Sequence, residues 1–463
     1  MELLFFVLVT ILFWSIRELI NYQVRASRLD FPTLWAIPFI GNFQLLQLVL
    51  SKQPLEDHQK IIEKFPNYFK CWFLNFRFLC PHSPEAVRKI LKSEECLSRP
   101  VFAKIMFSGF SGDSYHEWIN KRKFMNQIFY PSSLKNSIKA ISAAADDFTC
   151  DLSKEINEGK EFDIYPSIAR WTIKVHCLFL LGLDDNSING IIERLDRLIN
   201  IRNNITHFLI LPQLSKLIMP SKFTAMENAK TDLINFTKSL FYNQKTNENA
   251  TKFEKNYSKI LHRDDFAQQI ISMMDAGYET VALNLTNVLL FLSKHQKIQE
   301  KIYEEIQGIK DEISLESLSK FELIERVIKE TLRIAPPLPY LPREVHKTFE
   351  LEPGKFVEKG TIILIPNYGV HRLNSVYGDE ADKFNPDNFL KENLSKRPIS
   401  SSFQFSHGKR MCIGHRYAMI VMKIFLIKLI KNYKFESDEN DLKFTAKVTL
   451  EVEGSKTIKA YLR

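Results

Sequence analysis

The chain lacks internal repeats, a Gly/Ser linker and any low-complexity tract that would divide it into modules. Its length alone would permit two or three domains, but 463 residues, of which 45% are hydrophobic, can bury one large core. Helical periodicity dominates from about residue 53 to residue 333, and alternating segments at 361–365 and 447–452 predict short strands. The sequence therefore predicts an α-rich α+β domain, mainly helical with small β-sheets.

The chain also lacks cysteines at metal-ligand spacing, apart from the single Cys412 treated below. An even total of six permits three disulfides, whereas a cytosolic domain favours free thiols. The cysteines without close spacing are Cys71, Cys80, Cys96, Cys150 and Cys177.

No nucleic-acid motif accompanies the formal net charge of +9, so no nucleic-acid partner is predicted. This positive charge could attract anionic lipid or an acidic electron donor. The simpler interpretation is that it keeps the protein soluble. Several lysines on or after the Cys412 loop predict a basic docking face, and these are Lys409, Lys423, Lys428 and Lys431.

The N-terminal apolar run is not followed by an Ala-x-Ala-like cleavage site, which disfavours a cleaved secretory signal. Leu3 to Ile20 would give about 27 Å of helix, just enough to cross a bilayer. Arginines at 17, 25 and 28 flank its downstream end and should hold that end in the cytosol. We expect a membrane anchor at 1–20, a basic and proline-containing linker at 21–41, and a catalytic domain at 42–463.

The most informative run lies between Phe405 and Gly414. Gly408 and Gly414 allow the backbone to fold tightly around Cys412, so that main-chain N–H groups can point at its sulfur. An apolar stretch near residue 415 predicts a helix whose positive N-terminus favours thiolate over thiol. A lone cysteine near a helix start is more often a small buried hydrophobe, but the surrounding pattern, with Arg410 as a cation for a carboxylate, favours an iron ligand.

A second motif combines a carboxylate and a guanidinium on one helix face, at Glu330 and Arg333. Such pairs are usually solvated surface features. Here prolines at 336, 337, 339 and 342 require the helix to end within a residue or two, and an extended segment must follow that ends at Arg343.

A third motif, Ala276-Gly277-Tyr278-Glu279-Thr280, lies in an apolar pattern that predicts one continuous helix from about residue 266 to residue 292. Gly277 is a poor helix former, so its presence predicts the close approach of something bulky, such as a flat macrocycle. The simpler alternative is a solvated Glu279 and a Thr280 that bonds back along its own helix.

These motifs resemble, in order along nearly the whole chain, those of the cytochrome P450 superfamily. The run around Cys412 resembles the haem-binding loop, with Phe405, Gly408, Arg410 and Gly414 at its fixed positions. The resemblance implies the cytochrome P450 fold, with haem b as cofactor and Cys412 as the axial iron ligand. It is closest to the animal microsomal branch related to family 4, with an insect as the expected source.

The same resemblance assigns roles to residues outside the loop. Glu330 and Arg333 would form a buried structural ion pair, and Asn388 stands where many members carry an arginine that joins it, so the network should be retained but less cationic. The residues implied to bind the haem propionates are Trp118, Arg122, Arg343 and Arg410.

For the distal helix, the resemblance implies that Glu279 and Thr280 deliver protons during catalysis. Many family-4 relatives carry a glutamate that esterifies a haem methyl group where this chain has Ala276, so the haem is expected not to be covalently attached.

The implied activity is that of a monooxygenase, in which dioxygen binds opposite Cys412 and one oxygen atom enters a C–H bond of an apolar substrate. Electrons would come from NADPH through NADPH-cytochrome P450 reductase, with cytochrome b5 as a second donor, at the cytosolic face of the endoplasmic reticulum membrane. The resemblance implies a substrate cavity with walls from residues 102–110, the distal helix, 338–341 and 453–455. Such a cavity would suit an apolar substrate, namely a fatty acid, a hydrocarbon, a steroid-like compound or a xenobiotic. A haem-thiolate isomerase and a non-catalytic haem protein are the alternatives, and Thr280 argues against both.

Overall fold

The computed structural model describes residues 53–73, 76–106, 115–156, 160–181, 185–205, 216–243, 263–308, 312–438, 442–454 and 456–463, with shorter pieces between residues 9 and 51. Most of the predicted anchor and much of the predicted linker lie outside these residues, as does the polar segment at 244–259. Within the described parts of the chain, no helix combines the length and apolar character needed to cross a membrane.

Helices account for most of the described chain, as the periodicity predicts. They are α1 (Pro54–Ile62), α2 (Pro84–Lys92), α3 (Val101–Met106), α4 (Tyr115–Met125), α5 (Pro131–Glu155), α6 (Tyr165–Leu181), α7 (Asp185–Ile205), α8 (Pro220–Asn243), α9 (Arg263–Lys294), α10 (Gln296–Gln307), α11 (Leu315–Leu318), α12 (Glu322–Ile334), α13 (Asn367–Val370), α14 (Asn374–Tyr377), α15 (Lys391–Ser395) and α16 (His415–Asn432).

The strands are short and form small sheets. They are β1 (Tyr68–Phe73), β2 (Phe76–Pro81), β3 (Phe162–Asp163), β4 (Leu341–Glu344), β5 (Phe349–Glu352), β6 (Lys355–Val357), β7 (Ile362–Ile365), β8 (Tyr433–Glu436), β9 (Phe444–Ala446), β10 (Leu450–Val452) and β11 (Thr457–Leu462). The α-rich α+β prediction is confirmed.

The largest sheet has the strand order β1-β2-β7-β4. Strand β2 runs parallel to β7, while β4 pairs antiparallel with β7 and places Arg343 opposite Ile363. Because β4 is buried over most of its length, this register carries the Arg343 side chain into the protein. Residues 31–34 and 41, assigned to the linker from the sequence, lie along β1, where the Lys70 N–H donates to the Pro32 carbonyl at 2.8 Å.

Helix α9 is the predicted continuous helix, 32 residues long, and it is buried along most of its length. Its interior contains no proline and a single glycine, so nothing in the sequence interrupts its backbone hydrogen bonds. All six cysteines of the chain are free thiols.

The Glu330–Arg333 pair ties α12 to the chain that leads toward Cys412. Both side chains are fully buried, and Arg333 donates to both Glu330 carboxylate oxygens at 2.7 and 2.8 Å. The remaining Arg333 donors reach the carbonyls of His371, Ala381 and Lys383. Helix α12 ends at Ile334, directly before the prolines.

Asn388 joins this network as predicted, since its side-chain amide donates to Glu330 at 3.0 Å. That the network is less cationic than in relatives stays a prediction, but a guanidinium does lie next to the Asn388 amide. Arg397 donates to the Asn388 side-chain oxygen at 2.7 Å and to its carbonyl at 2.8 Å. Arg397 and Arg333 also both lie over the Tyr377 ring, at 4.6 and 4.4 Å from the ring centre. A second guanidinium therefore reaches the network through the Asn388 amide.

We predict that Arg397→Ala lowers the free energy of unfolding by about 1–3 kcal/mol, because two acceptors of Asn388 lose a charged donor. The measurement is urea unfolding of the haem-loaded protein, with exposed Lys391→Ala, from the same segment, as control. In an Asn388→Arg background the loss should shrink by at least about 0.5 kcal/mol, because the two residues are coupled. Strictly additive effects of the two substitutions would contradict this role of Arg397.

Candidate active site

The Cys412 loop is closed by its own backbone. The Cys412 N–H donates to the Phe405 carbonyl at 2.9 Å, and the Met411 N–H donates to the Gly408 carbonyl at 3.0 Å. Gly408 has a φ of +73°, and a Cβ there would lie 2.2 Å from the carbonyl oxygen of Leu91 in α2. Glycine is thus required at 408 both by the backbone conformation and by the close approach of α2.

Gly414 has a different part from the one its sequence position suggested. Its φ is −90°, and a Cβ there would make only ordinary contacts with the Phe129 ring. Glycine itself is therefore not required at 414, although the predicted approach of a main-chain N–H to the sulfur is present. What Gly414 provides is its N–H, which donates to the Cys412 sulfur at the N-terminus of α16. Helix α16 begins at His415, as predicted.

Burial raises the pKa of the Cys412 thiol, against the opposing effects of the Gly414 N–H and the nearby Arg122 guanidinium. The Gly414 N–H at the helix terminus lowers this pKa, as expected, but loss of hydration has the larger effect. The Cys412 side chain is nevertheless exposed. The thiol lies deep among protein atoms and yet remains open to a ligand, and a metal cation would supply the charge that stabilises its thiolate.

Three arginines converge beside this loop. Arg343 is buried, and its pKa is lowered well below the ordinary value by burial and by the neighbouring charges of Arg99 and Arg410. Arg99 and Arg343 both donate to the Pro342 carbonyl, at 2.5 and 3.0 Å. Arg343 also donates to the Ser406 hydroxyl at 3.4 Å, and Arg410 donates to the Leu97 carbonyl at 2.9 Å. The Pro342 carbonyl and the Ser406 hydroxyl, which accept from Arg99 and Arg343, carry no charge.

The donor set fits haem. Burial lowers the pKa of Arg99 to about 10, and its buried Nε has no hydrogen-bond partner among the described residues. Like charges held together in a poorly hydrated place require an anion, and a buried N–H requires an acceptor. Two propionates beside a cysteine thiol satisfy both needs. Arg99, Arg343 and Arg410 would hold the propionates, and Cys412 would bind the iron.

Trp118 and Arg122 lie on α4, four residues apart, as predicted. Trp118 is buried, and the Arg410 guanidinium stacks over its ring at 4.0 Å from the ring centre. Arg122 donates to the Asn126 side chain at 3.1 Å, and its charge acts on Cys412. Trp118 therefore positions Arg410, the cation that is predicted to bind a propionate. Direct propionate contacts of Trp118 and Arg122 stay predictions.

On α9, Ala276 is exposed and Thr280 is half-buried, although most of the helix is buried. The Thr280 hydroxyl donates to the Ala276 carbonyl at 2.8 Å, so its oxygen keeps lone pairs that can accept a hydrogen bond. Thr280 thus bonds back along its own helix and still faces open space. The methyl group of Ala276 offers no carboxylate for esterification, and non-covalent attachment of the haem stays a prediction.

Gly277 is the close-approach site that its sequence position indicated, but its neighbour is not a macrocycle. A Cβ at 277 would lie 2.2 Å from Nε2 of His176 on α6. Burial lowers the pKa of His176 to about 4, so its imidazole is neutral, and its Nδ1–H donates to the Thr172 carbonyl at 2.7 Å. The glycine exists so that α6 and α9 can pack with a histidine between them.

Glu279 is buried in a cluster of charged groups. Arg202 on α7 donates to Glu279 at 2.7 Å and to both oxygens of Asp275 at 3.0 Å. Thr449, between β9 and β10, donates to the other Glu279 oxygen at 2.8 Å. Burial raises the pKa of Glu279, while Arg202 and the Thr449 hydroxyl oppose the rise. The solvated Glu279 of the simpler alternative is excluded, and its part in proton delivery stays a prediction.

The structure brings together two groups of residues that the sequence singled out. Arg343 and Arg410 meet beside the Cys412 loop, and Glu279 lies one residue before Thr280 on α9. Sequence reasoning missed Arg99, Arg202 and Thr449. No spacing could have marked Arg202, because its partners lie 73 and 77 residues farther along the chain.

The predicted basic docking face is partly wrong. Lys423 is buried and donates to the Glu325 carboxylate at 2.6 Å and to the Leu318 carbonyl at 2.9 Å. Lys428 is half-buried and pairs with Asp146 at 2.8 Å, and Lys409 pairs with Glu94. Lys409 and Lys431 remain exposed. Position along α16 could not reveal that the helix buries the Lys423 side of its surface.

Comparison with known proteins agrees with this geometry. The Cytochrome P450 family model matches residues 32–452. The probable cytochrome P450 313a1 of Drosophila melanogaster is 26% identical over 95% of this chain and 94% of its own length. Cytochrome P450 4c21 of Blattella germanica is 25% identical over 90% of both chains. The lithocholate 6-beta-hydroxylase of Mesocricetus auratus is 25% identical over 86% of both chains.

The relatives are insect and other animal proteins, and the matched region contains the Cys412 loop, the Glu330–Arg333 pair and the distal helix. A haem-thiolate oxidoreductase is what this site can support. The chain therefore belongs to the cytochrome P450 family, as an animal member related to family 4.

Proposed function

We propose that this cytochrome P450 inserts one oxygen atom of O₂ into an apolar substrate, using electrons from NADPH. The observation that carries the proposal is Thr280, whose half-buried hydroxyl keeps free lone pairs on an otherwise buried helix. Neither a peroxide isomerase nor a haem protein without turnover needs an alcohol there. Haem, when bound, supplies the oxygen binding and the electron acceptance.

The residues around Cys412 bind and orient the cofactor. Arg99, Arg343 and Arg410 would hold the propionates in a place with little water and would neutralise their charge. The Gly414 N–H donates to the sulfur and tempers its charge. Gly408 allows the loop to lie against α2, so the thiol position is set by packing as well as by hydrogen bonds.

Glu279 and Thr280 manage protons on the distal side. The raised pKa of Glu279 favours its neutral carboxyl form, which can donate a proton. Thr280 can hold a water by accepting its hydrogen bond. Glu279 must turn away from Arg202 or Thr449 to reach such a water, because each of its oxygens is bound to one of them.

Contacts made by residues next to the predicted wall segments support an enclosed substrate site. Thr449 binds Glu279 of the distal helix, and the next residue, Leu450, donates its N–H to the Pro337 carbonyl at 2.9 Å. These bonds join the β9–β10 hairpin to the distal helix and to the segment before 338–341. Residues 107–110 of the first predicted wall lie outside the described chain. The Mesocricetus relative is named as a hydroxylase of lithocholate, which supports a steroid-like compound among the candidate substrates.

NADPH-cytochrome P450 reductase, with cytochrome b5 as a second donor, is the proposed source of electrons. Lys409 and Lys431 are exposed, as are Lys123 on α4 and Arg416 at the start of α16. These cations lie on the elements around the Cys412 loop. An acidic donor docked there would approach the thiolate side of the haem.

The protein is proposed to reside in the endoplasmic reticulum membrane, with its domain in the cytosol. The apolar run at 3–20 and the arginines after it support this location. Leu217 and Ile218 are 78% and 66% exposed just before α8, which suits a second contact with lipid.

The first prediction of this proposal concerns Cys412. The reduced, carbon-monoxide-bound wild type should show a thiolate-type band, and turnover should require the reductase. Cys412→His should lose the band because imidazole replaces the thiolate. Exposed Cys150→Ser is the matched control and should keep it. A band that survives in Cys412→His would refute the ligand assignment, and turnover from peroxide substrates without reductase would favour an isomerase.

The second prediction concerns Thr280. Thr280→Ala should keep fold and haem but lower product per electron, on the order of 10- to 100-fold, because proton delivery loses its hydroxyl. Electrons should then appear as hydrogen peroxide. Thr280→Ser retains the hydroxyl and should recover most of the yield. An unchanged yield in Thr280→Ala would remove Thr280 from the reaction.

The third prediction concerns topology. In intact microsomes, external protease should digest the catalytic domain and leave a short N-terminal fragment in the membrane. A variant without residues 1–20 should leave the integral fraction, because the span supplies the anchoring. Protection of the whole domain in sealed vesicles would reverse the proposed orientation.

A further inference from the structure

Arg202 binds two carboxylates rather than one. One terminal nitrogen bridges both oxygens of Asp275 at 3.0 Å, and the other binds a single oxygen of Glu279 at 2.7 Å. Asp275 and Glu279 are one turn apart on α9, and all three side chains are about 95% buried. The family resemblance assigns proton delivery to Glu279 and Thr280, and not to Asp275.

Counting charges shows what the second carboxylate does. If Arg202 had Glu279 as its sole partner, protonation of Glu279 would leave an uncompensated buried cation, which is strongly unfavourable. With Asp275 ionised, protonation of Glu279 leaves a neutral Arg202–Asp275 pair. The bidentate contact of Asp275 also remains in place when the single Glu279 contact breaks. Arg202 therefore does not need to move when Glu279 turns away.

We propose that Asp275 is a positioning residue that retains Arg202, so that Glu279 can take up and release a proton and swing toward Thr280. This rests on the proposed function, since it concerns the proton supply of that reaction. The proton balance is simple: Glu279 gives its carboxyl proton to a distal water and becomes a carboxylate, and a proton from solvent restores it. The contact between Arg202 and Asp275 stays in place throughout.

The other groups around Glu279 are consistent with this assignment. Burial raises the pKa of Glu279, and the charges of Asp275 and Glu451 raise it further, whereas Arg202 and Thr449 lower it. Glu451 itself pairs with Lys447 at 3.0 Å. Groups on each neighbouring element that face this carboxyl are Arg202 on α7, Asp275 and Tyr278 on α9, Tyr165 on α6, and Thr449 and Glu451 of the β9–β10 hairpin.

The test measures the protonation of Glu279 directly. Infrared difference spectra of the haem-loaded protein across a pH series should contain a protonated-carboxyl band that Glu279→Gln abolishes. Asp275→Asn should move the disappearance of this band to lower pH by roughly 1–3 units, because Arg202 then acts on Glu279 without its counter-charge. Asp275→Glu keeps the charge and should restore the wild-type midpoint, which is the pH at which half of the Glu279 band has disappeared.

Asp196→Asn is the matched control. Asp196 also joins α7 to α9, through the Tyr278 hydroxyl at 2.8 Å, but it does not contact Arg202. Its substitution should leave the Glu279 midpoint in place. If Asp275→Asn does not fold, Asp275→Asn/Arg202→Met removes both charges of the pair, and its midpoint should lie near that of the wild type.

Turnover gives the second readout. Asp275→Asn should lower product per electron about tenfold or more and increase the solvent deuterium isotope effect, with the substrate KM unchanged, because proton delivery becomes limiting. A Glu279 midpoint that does not move in Asp275→Asn, or that moves equally in Asp196→Asn, would overturn the role of Asp275. The infrared measurement needs no electrons or substrate, so a wild type without monooxygenase turnover would count against the proposed function alone.

Discussion

The buried contact between Glu330 and Arg333 is the interaction on which the position of the active-site loop depends. Two opposite charges without access to water are stable only when every donor and acceptor is used. Arg333 meets this condition by binding Glu330 and the carbonyls of residues 371, 381 and 383. The chain between α12 and the Cys412 loop is thus held by a side chain that cannot move without leaving several groups unpaired.

The buried arginines of this protein divide into two kinds. Arg333 and Arg202 are neutralised by carboxylates of the chain itself, and they join elements that are distant in sequence. Arg343 and Arg99 instead hydrogen-bond to a carbonyl and lie beside one another, and burial lowers the pKa of both. We expect the arginines that pair with carboxylates to stabilise the fold, and the arginines that bind a carbonyl to be the ones that bind an anionic ligand. The two kinds of arginine differ in whether the protein itself provides a carboxylate as counter-charge. The extent of burial does not distinguish them.

Sequence patterns predicted those parts of the molecule that depend on local order. Helix α9, the end of α12 before its prolines, the start of α16 and the Cys412 loop all follow from periodicity or from residues a few positions apart. What the patterns could not give were contacts between distant segments. Gly277 signalled a close approach correctly, but only the packing of α6 identifies His176 as the neighbour. Asn388 suggested a neutral member of the ion-pair network, and only the structure identifies Arg397, nine residues away, as its charged neighbour. Lys423 looked like a surface cation because its partner Glu325 lies 98 residues earlier in the chain.

Cys412 and Glu279 are governed by the same competition on opposite sides of the site. Burial raises the pKa of both, and in each case a nearby arginine and one hydrogen-bond donor oppose the rise without cancelling it. The consequences differ because the two groups do different chemistry. A protonated thiol must lose its proton to bind a metal, so iron binding by Cys412 is coupled to proton release and to the folding of the loop. A protonated carboxyl is already the form that donates, so the same burial prepares Glu279 for use. Loss of hydration therefore makes the ionisation of Cys412 depend on its cofactor and that of Glu279 on its charged neighbours. These neighbours, Arg202, Asp275 and Glu451, come from three elements of the fold.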